Sequence, residues 1–139
     1  METQEEIRNR EVLEHLFLDG LNKRDLSLFN EVYAPDIRYH SPSVEINNLT
    51  ELSGLSNGYF SAFHDTKVNI EDLIAKDNKV IIRFTFQGVH KGALQGIKPT
   101  GNKIVISGIA IYRMANGMIV EEWEVFDEIG MMKQLGIAL

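Results

Sequence analysis

The sequence contains no cysteine. This absence excludes a disulfide framework, a thiolate nucleophile, and zinc or iron–sulfur sites ligated by cysteine, and it favours a reducing compartment. The sequence also lacks an apolar run of roughly 18–20 residues, the length that a membrane-spanning helix needs. Its first residues are charged where a signal peptide would be apolar. We therefore expect a soluble cytoplasmic protein with no membrane partner.

Positive charge is scarce as well. The chain has 14 Lys and Arg against 20 Asp and Glu, a formal net charge of −6, and no basic run longer than Lys23-Arg24. Because nucleic-acid binding needs a surplus of basic side chains on some face, we expect no nucleic-acid partner. The four histidines show no spacing typical of metal ligands, so we predict no metal site and no other cofactor.

The remaining composition is that of one globular domain. The 139 residues are 44% hydrophobic and contain no internal repeat, low-complexity tract or linker. A chain of this length can bury roughly two-thirds of the surface that its unfolded form exposes, which is enough for a core with a pocket inside it. We therefore predict a single domain over residues 1–139.

The first half of the chain has the periodicity of helices. Apolar residues recur on one side of a 3.6-residue period over residues 4–20 and predict an amphipathic helix. Asp25 is a candidate N-cap for a short second helix that ends before Pro35. Asn47 and Asn48 are candidate caps for a third helix.

From Lys67 onward the hydrophobic period changes to two and β-branched residues accumulate, which predicts strands. The pair Asn116-Gly117 is the typical two-residue turn of a β-hairpin, so antiparallel pairing is favoured. The glycine-rich segment 88–102 is predicted to be an exposed loop or a bulged bend. The predicted strands are 37–40, 68–75, 80–87, 103–113 and 118–126. The expected fold is α+β, a strongly curved antiparallel sheet with three N-terminal helices that enclose an apolar pocket.

Two segments resemble a known family. Residues 88–103, GVHKGALQGIKPTGNK, are similar to the G-T-H-x-G-x-x-x-G-x-x-P-T-G-K pattern of the SnoaL-like polyketide cyclases. Residues 113–136, RMANGMIVEEWEVFDEIGMMKQLG, resemble that family's R-x-x-x-G-K-I-x-E-x-W-x-x-x-D-x-x-G-x-x-x-Q-L-G. The resemblance covers about a third of the chain by motif, and it implies the NTF2-like α+β cone.

Asp127 is the first candidate for chemistry. A period of two in the last strand places Trp123, Val125 and Asp127 on one face, and the two apolar residues suggest that this face is internal. Desolvation there would raise the pKa of the carboxyl group toward a range useful for proton transfer. The resemblance implies a general acid/base at this position of the motif. The alternative is that Asp127 caps a C-terminal helix over residues 129–135.

Two histidines are further candidates, each with an alternative. His90 matches the histidine of the first motif and is a candidate catalytic residue that orients a substrate carbonyl, or it ties the glycine-rich loop to the sheet. His40 lies where many family members place a polar residue that faces the pocket, so it is a candidate substrate-binding residue. It is equally well explained as a solvated histidine in a turn.

The remaining candidates are large apolar side chains. Trp123 matches the tryptophan of the second motif and is a candidate pocket wall with one N–H donor, or an ordinary core residue. The same two interpretations apply to four other side chains that we expect to bind substrate. These are Tyr59, Phe63, Phe84 and Met131.

The resemblance implies a cofactor-independent cyclase that acts on an apolar, polyketide-like carbonyl compound by intramolecular aldol chemistry. In this hypothesis Asp127 removes a proton next to a carbonyl and later protonates the new alkoxide, a contribution of about 10²–10⁴-fold. The alternatives are a non-catalytic module that binds a small apolar metabolite, and a hydrolase or isomerase that uses the same aspartate. We expect a homodimer formed by the sheet strands at 68–75, 80–87 and 103–113.

Overall fold

The computed structural model describes residues 1–138 and shows a mixed α+β domain in which a curved six-stranded sheet is covered by helices on one face. The strand order is β2-β1-β6-β5-β4-β3. The helices are α1 (Gln4–His15), α2 (Phe29–Val32), α3 (Leu49–Ala62) and α4 (Glu128–Gln134). The strands are β1 (Tyr33–His40), β2 (Glu45–Ile46), β3 (Phe63–Lys76), β4 (Lys79–His90), β5 (Lys103–Ala115) and β6 (Met118–Phe126). No helix within residues 1–138 is long and apolar enough to cross a membrane.

The helices begin where the capping residues predict. Thr3 and Glu6 form a reciprocal capping box at the start of α1. The Asp25 side chain accepts from the Ser27 N–H and starts a short 3₁₀ turn before α2, and Asn48 accepts from the Glu51 N–H at the start of α3. The helix predicted over 4–20 is present, but its last part, Leu16–Leu21, is a π-helical turn.

Strands β3 to β6 form the predicted antiparallel meander. Asn116 and Gly117 join β5 to β6 with φ angles of 51° and 77°, the left-handed values that a type I′ turn requires. The sheet is not antiparallel throughout, because β1 pairs with β6 in parallel. The turn residues of a hairpin indicate the pairing of consecutive strands only. Strands β1 and β6 are separated by most of the chain, so they can pair in parallel or antiparallel orientation.

A β-bulge interrupts β6 at Val120. Met114 pairs with Ile119, while the adjacent Arg113 pairs with Glu121. Val120 is therefore an extra residue on β6 that has no partner on β5. Ile119 is fully buried, and the next buried residue is Glu122, three positions later. Because a one-residue slip moves every following side chain to the opposite face, the bulge places the even-numbered residues after Val120 on the inner face.

The C-terminal helix α4 is attached at both ends. Asp127 accepts from the Gly130 N–H at its start. At its end, the Gln134 side-chain amide accepts from the Val105 N–H at 2.7 Å and donates to the Val105 carbonyl at 3.0 Å. Since β6 ends opposite Gly108, this amide pairs with the part of β5 that extends beyond β6. Met131 and Leu135 of this helix pack in an apolar cluster with residues that include Ile104 and Ile106, so α4 covers this part of β5.

Candidate active site

A cavity of about 350 Å³ lies between the inner face of the sheet and the helices. All seven phenylalanines and all four tyrosines of the chain line it, together with aliphatic side chains, three serines, a glutamine and three glutamates. The aromatic residues are Phe17, Phe29, Tyr33, Tyr39, Tyr59, Phe60, Phe63, Phe84, Phe86, Tyr112 and Phe126. An aromatic cavity of this size is typical of a site for a small apolar molecule.

Four of the predicted substrate-binding residues line this cavity, namely Tyr59, Phe63, Phe84 and Met131. The rings of Tyr59 and Phe63 lie 6.4 Å apart and are nearly parallel. Met131, on α4, is 2% exposed and packs in the apolar cluster that also contains Ile104 and Ile106. These four side chains lie in the cavity wall, and their contact with a substrate stays a prediction.

The other two, His40 and Trp123, do not line the cavity. Their rings stack on each other, with centroids 5.6 Å apart, on the opposite side of the sheet from the cavity. Trp123 is 36% exposed. The expectation that these side chains contact a ligand inside the pocket is wrong because the bulge at Val120 reverses the face on which Trp123 lies.

His40 belongs to a network of charges on this outer side. Its Nδ1 lies 2.6 Å from Glu45 Oε2 and its Nε2 lies 2.7 Å from Glu121 Oε2, while Arg113 donates to Glu121 Oε1 at 2.9 Å. The hydrogen bond to Glu121 is the main reason why the pKa of His40 is raised, and the bond to Glu45 adds to it. The network joins β2, β1, β6 and β5.

Asp127 also lies away from the cavity wall. Its side chain is exposed, and its Oδ1 accepts from the Gly130 N–H at 2.8 Å. The expectation that Trp123, Val125 and Asp127 face inward is therefore wrong, and Val125 is 59% exposed. Of the two roles considered for Asp127, the helix cap is the one formed in this structure, and a catalytic role stays a prediction.

His90 is completely buried at the end of β4 and does not line the cavity. Its Nδ1 accepts from the Thr100 N–H at 3.1 Å, and its backbone exchanges hydrogen bonds with Asn102 and Gly101. The ring nitrogen Nε2 is buried without a hydrogen-bond partner in the described residues. These contacts tie segment 91–102 to the sheet, and a role in orienting a carbonyl stays a prediction.

The structure places two residues in the cavity that the sequence analysis did not select, Glu122 and Glu124. The Tyr33 hydroxyl donates to Glu122 Oε1 at 2.8 Å, and the Tyr39 hydroxyl donates to Glu124 Oε1 at 2.6 Å. The alternation that was expected to turn Trp123, Val125 and Asp127 inward would have turned both glutamates outward. Only the bulge at Val120 brings them inward, and a simple alternation pattern carries no signal for it.

Burial controls the electrostatics of this pair. Desolvation raises the pKa of Glu122, the neighbouring charge of Glu124 raises it further, and the Tyr33 hydrogen bond opposes the shift. Desolvation also raises the pKa of Glu124, against the bond from Tyr39. None of the described residues that line the cavity is Lys, Arg or His. Without a cation nearby, a proton can reside on the pair closer to neutral pH than on a free glutamate.

Tyr59 shows that negative charge extends toward α4. Burial, followed by the charges of Glu128 and Glu124, raises the pKa of the Tyr59 phenol to about 12. Glu128 accepts from the Ser43 hydroxyl at 2.9 Å. Within residues 1–138 no group of three or more His, Asp or Glu side chains is placed to hold a metal ion. The cavity therefore offers carboxyl and phenol groups for proton transfer.

The fold is shared with solved structures of low sequence identity. A candidate SnoaL-like polyketide cyclase from Jannaschia sp. CCS1 superposes with a TM-score of 0.91 at 17% identity, covering 100% of this chain and 99% of that one. IdmH, a candidate polyketide cyclase from Streptomyces antibioticus, gives 0.80 at 24% identity over 93% and 99%. AclR, a candidate hydroxylase from Streptomyces galilaeus, gives 0.85 at 25% identity over 94% and 82%.

These likenesses confirm the NTF2-like α+β fold that the motifs implied. No curated protein matches the sequence. The family model described as SnoaL-like polyketide cyclase matches residues 11–135, which is most of the chain and includes both motifs. The chain therefore belongs to the SnoaL-like polyketide cyclase family.

Proposed function

We propose that this protein is a cofactor-independent cyclase that acts on an apolar, polyketide-like carbonyl compound, with Glu124 as its acid/base residue. The supporting observation is a carboxyl pair that faces an aromatic cavity without a basic side chain. The raised pKa of Glu124 suits a group that gains and loses a proton within one reaction. Family membership supports cyclisation as the reaction class.

The reaction needs one proton acceptor. The ionised Glu124 carboxylate takes a proton from the carbon next to a carbonyl group, so a C–H bond breaks and an O–H bond forms. The resulting enolate carbon attacks a second carbonyl of the same molecule, which forms a C–C bond and an alkoxide. Glu124 then returns its proton to the alkoxide and is ready for the next turnover. A dicarbonyl substrate is acidic, and one positioned carboxylate can contribute about 10²–10⁴-fold.

Glu124 takes the role that the sequence analysis gave to Asp127. Glu124 lies in the cavity wall, and the Tyr39 hydroxyl fixes its Oε1. Asp127 is exposed and its Oδ1 is engaged at the start of α4. An acid/base role for Asp127 would require its second oxygen, Oδ2, to reach a molecule in a cavity whose wall does not include Asp127.

The test is solvent-deuterium exchange at the α-carbon of a panel of apolar β-keto esters. We expect wild-type protein to catalyse exchange and Glu124→Gln to lose about 10²–10⁴-fold. Asp127→Asn preserves an N-cap acceptor, and we expect it to retain exchange. Glu121→Gln, on the outer side of the same strand, is the matched control. Exchange that survives in Glu124→Gln but disappears in Asp127→Asn would return the acid/base role to Asp127.

A non-catalytic module that binds an apolar metabolite is the second candidate, and the eleven aromatic residues of the cavity favour it equally. The same panel separates the two functions. Binding of the esters without exchange by wild-type protein would support the binding module and contradict the cyclase.

We also propose that two copies of the chain associate through the outer face of the sheet. Ile109 and Val125 pair across β5 and β6 on this face and are 51% and 59% exposed, and Trp123 lies beside them. Adjacent exposed apolar side chains are typical of an association surface. Ile109→Lys should convert a dimer to a monomer in analytical ultracentrifugation. A wild-type monomer at all concentrations would contradict the dimer.

A further inference from the structure

We infer that Glu122 is a second catalytic residue, a carboxylic acid that keeps its proton and donates a hydrogen bond to a carbonyl oxygen of the bound molecule. This inference rests on the proposed function, because it assigns Glu122 a part in the reaction of Glu124. The two residues would then perform different tasks, Glu124 exchanging a proton with carbon and Glu122 stabilising the charge that develops on oxygen.

The carboxyl group of Glu122 lies in the cavity with one oxygen available to a ligand. Glu122 is 4% exposed and lines the cavity from the inner face of β6. One protein hydrogen bond reaches its carboxyl group, from the Tyr33 hydroxyl to Oε1 at 2.8 Å. With Oε1 occupied as an acceptor, a proton on Oε2 is free to be donated to a ligand.

Within residues 1–138, no Lys, Arg or His lines the cavity that Glu122 faces. The titratable groups that line the cavity with Glu122 come from five elements and are all acids. They are Tyr33 and Tyr39 on β1, Tyr59 on α3, Tyr112 on β5, Glu124 on β6 and Glu128 on α4. A buried carboxylate without a cation is unstable, so the group gains a proton instead.

The two glutamates differ in burial, and this difference determines which one keeps the proton. They are two residues apart on one strand and therefore on the same face, so their charges repel. Glu124 is half-buried, whereas Glu122 is buried more deeply. Burial and the charge of Glu124 together raise the pKa of Glu122. Pairs of carboxyl groups whose environments separate their proton affinities can divide acid and base roles in this way.

A neutral donor in a cavity of low polarity suits an enolate. The hydrogen bond from Glu122 strengthens as negative charge moves from carbon to oxygen, and the proton stays on Glu122 throughout. The arrangement predicts a substrate with two features close together, an acidic C–H that reaches Glu124 and an oxygen acceptor that reaches Glu122. A β-dicarbonyl compound has both.

Carbon-13 NMR of protein labelled at the glutamate δ-carbon tests the protonation state without a substrate. Glu122→Gln and Glu124→Gln identify the two signals, and Glu128→Gln controls for a glutamate at the mouth. We expect the Glu122 signal to be that of a protonated acid at neutral pH, while Glu124 titrates at lower pH. A Glu122 signal that titrates like a free glutamate would overturn the inference.

The exchange assay tests the catalytic part. Gln resembles a protonated Glu because its carbonyl can accept from Tyr33 and its amide can donate to the ligand, so Glu122→Gln should lose less rate than a variant without a donor. Glu122→Leu removes the donor and should lose about 10²–10³-fold in rate. Circular dichroism and a thermal unfolding curve establish that the Leu variant is folded. If Glu122→Leu does not fold, Glu122→Met, a flexible side chain that also lacks a donor, takes its place.

The possible failures are distinguishable. If wild-type protein does not catalyse exchange, the proposed function is wrong, and with it the catalytic role of Glu122. If wild-type protein catalyses exchange and a folded variant without the donor is equally fast, the inference about Glu122 is wrong and the cyclase proposal stands.

Discussion

The two faces of strand β6 carry carboxylates in opposite electrostatic environments. On the outer face, Glu121 bonds to His40 and Arg113, and these bonds lower its pKa. On the inner face, tyrosine hydroxyls donate hydrogen bonds to Glu122 and Glu124, and burial raises the pKa of both. Three neighbouring glutamates therefore differ in chemistry, because neutral donors do not compensate a buried charge as cations do.

The largest expected effect comes from the inner face of β6, next to the bulge. Ile119 is fully buried, so Ile119→Ala should lower the free energy of unfolding by about 2–5 kcal/mol. Val125 lies on the outer face and is 59% exposed, so Val125→Ala should lower it by about 1 kcal/mol or less. Urea denaturation measures both losses. Equal midpoints for the two variants would contradict the assignment of the two faces.

The second prediction concerns the space opposite Phe126. A Cβ atom at Gly108 would lie 2.5 Å from Phe84 Cζ and 2.8 Å from the Val125 carbonyl. Gly108→Ala should therefore destabilise the fold by about 1–3 kcal/mol through overpacking at the cavity wall. The matched control is Gly54→Ala, at an exposed position of α3 where a Cβ meets nothing within 4 Å, which should stabilise by about 0.5–1 kcal/mol. Thermal unfolding of both variants at one pH is the measurement.

The third prediction uses pH to contrast the two faces. Because the pKa of Glu122 is raised on folding, its contribution to stability is present below the ordinary range of a glutamate and is lost as the pH rises through the folded value. Glu122→Gln does not ionise, so it avoids this decrease in stability at higher pH. Its melting temperature should exceed that of wild type at neutral pH, and the difference should disappear in acid.

Glu121→Gln should behave in the opposite way. The pKa of Glu121 is lowered, so its contribution is present above the ordinary range and is lost as the pH falls through the folded value. The variant should be less stable than wild type at neutral pH, by about 1 kcal/mol or less because the pair is close to solvent, and should converge with it in acid. If both variants shift in the same direction at neutral pH, the contrast between the faces is wrong.

The smallest expected effect lies just beyond the strand. Asp127→Ala removes the acceptor for the Gly130 N–H and should cost about 1 kcal/mol of stability, whereas Asp127→Asn should retain most of it. Differential scanning calorimetry of the two variants resolves the difference. Equal melting temperatures for wild type and Asp127→Ala would show that the cap is dispensable, and would leave the carboxylate free for another role.

Most of the fold was predictable because its signals are local. The caps at Asp25 and Asn48 and the turn at Asn116-Gly117 act over three or four residues, and each appears where the sequence places it. Strand β2 and the parallel pairing of β1 with β6 were not predicted. Both depend on contacts between segments distant in sequence, for which a single chain gives no periodic signal.

The candidate site was predictable only in part. Four apolar lining residues followed from periodicity and resemblance, because aromatic side chains on the inner face meet the cavity whatever the details of pairing. The titratable groups of the cavity could not be predicted in this way, because the extra residue Val120 decides whether Glu122 or Trp123 faces inward. His40 lies outside for a different reason, because Ile37 and Tyr39 of β1 point inward and alternation along that strand turns His40 to the other face.

The position of Trp123 gives the protein a built-in optical probe. It is the single tryptophan, and it is the one aromatic residue that belongs to the outer face and stacks on a histidine. Its emission therefore reports on association of the outer face and on the charge of the His40 ring, which quenches indole when protonated. The four tyrosines all line the cavity, so light absorbed there and passed to Trp123 registers a bound molecule. Emission excited where tryptophan alone absorbs reports on the outer face, and its comparison with emission excited where tyrosine also absorbs reports on the cavity.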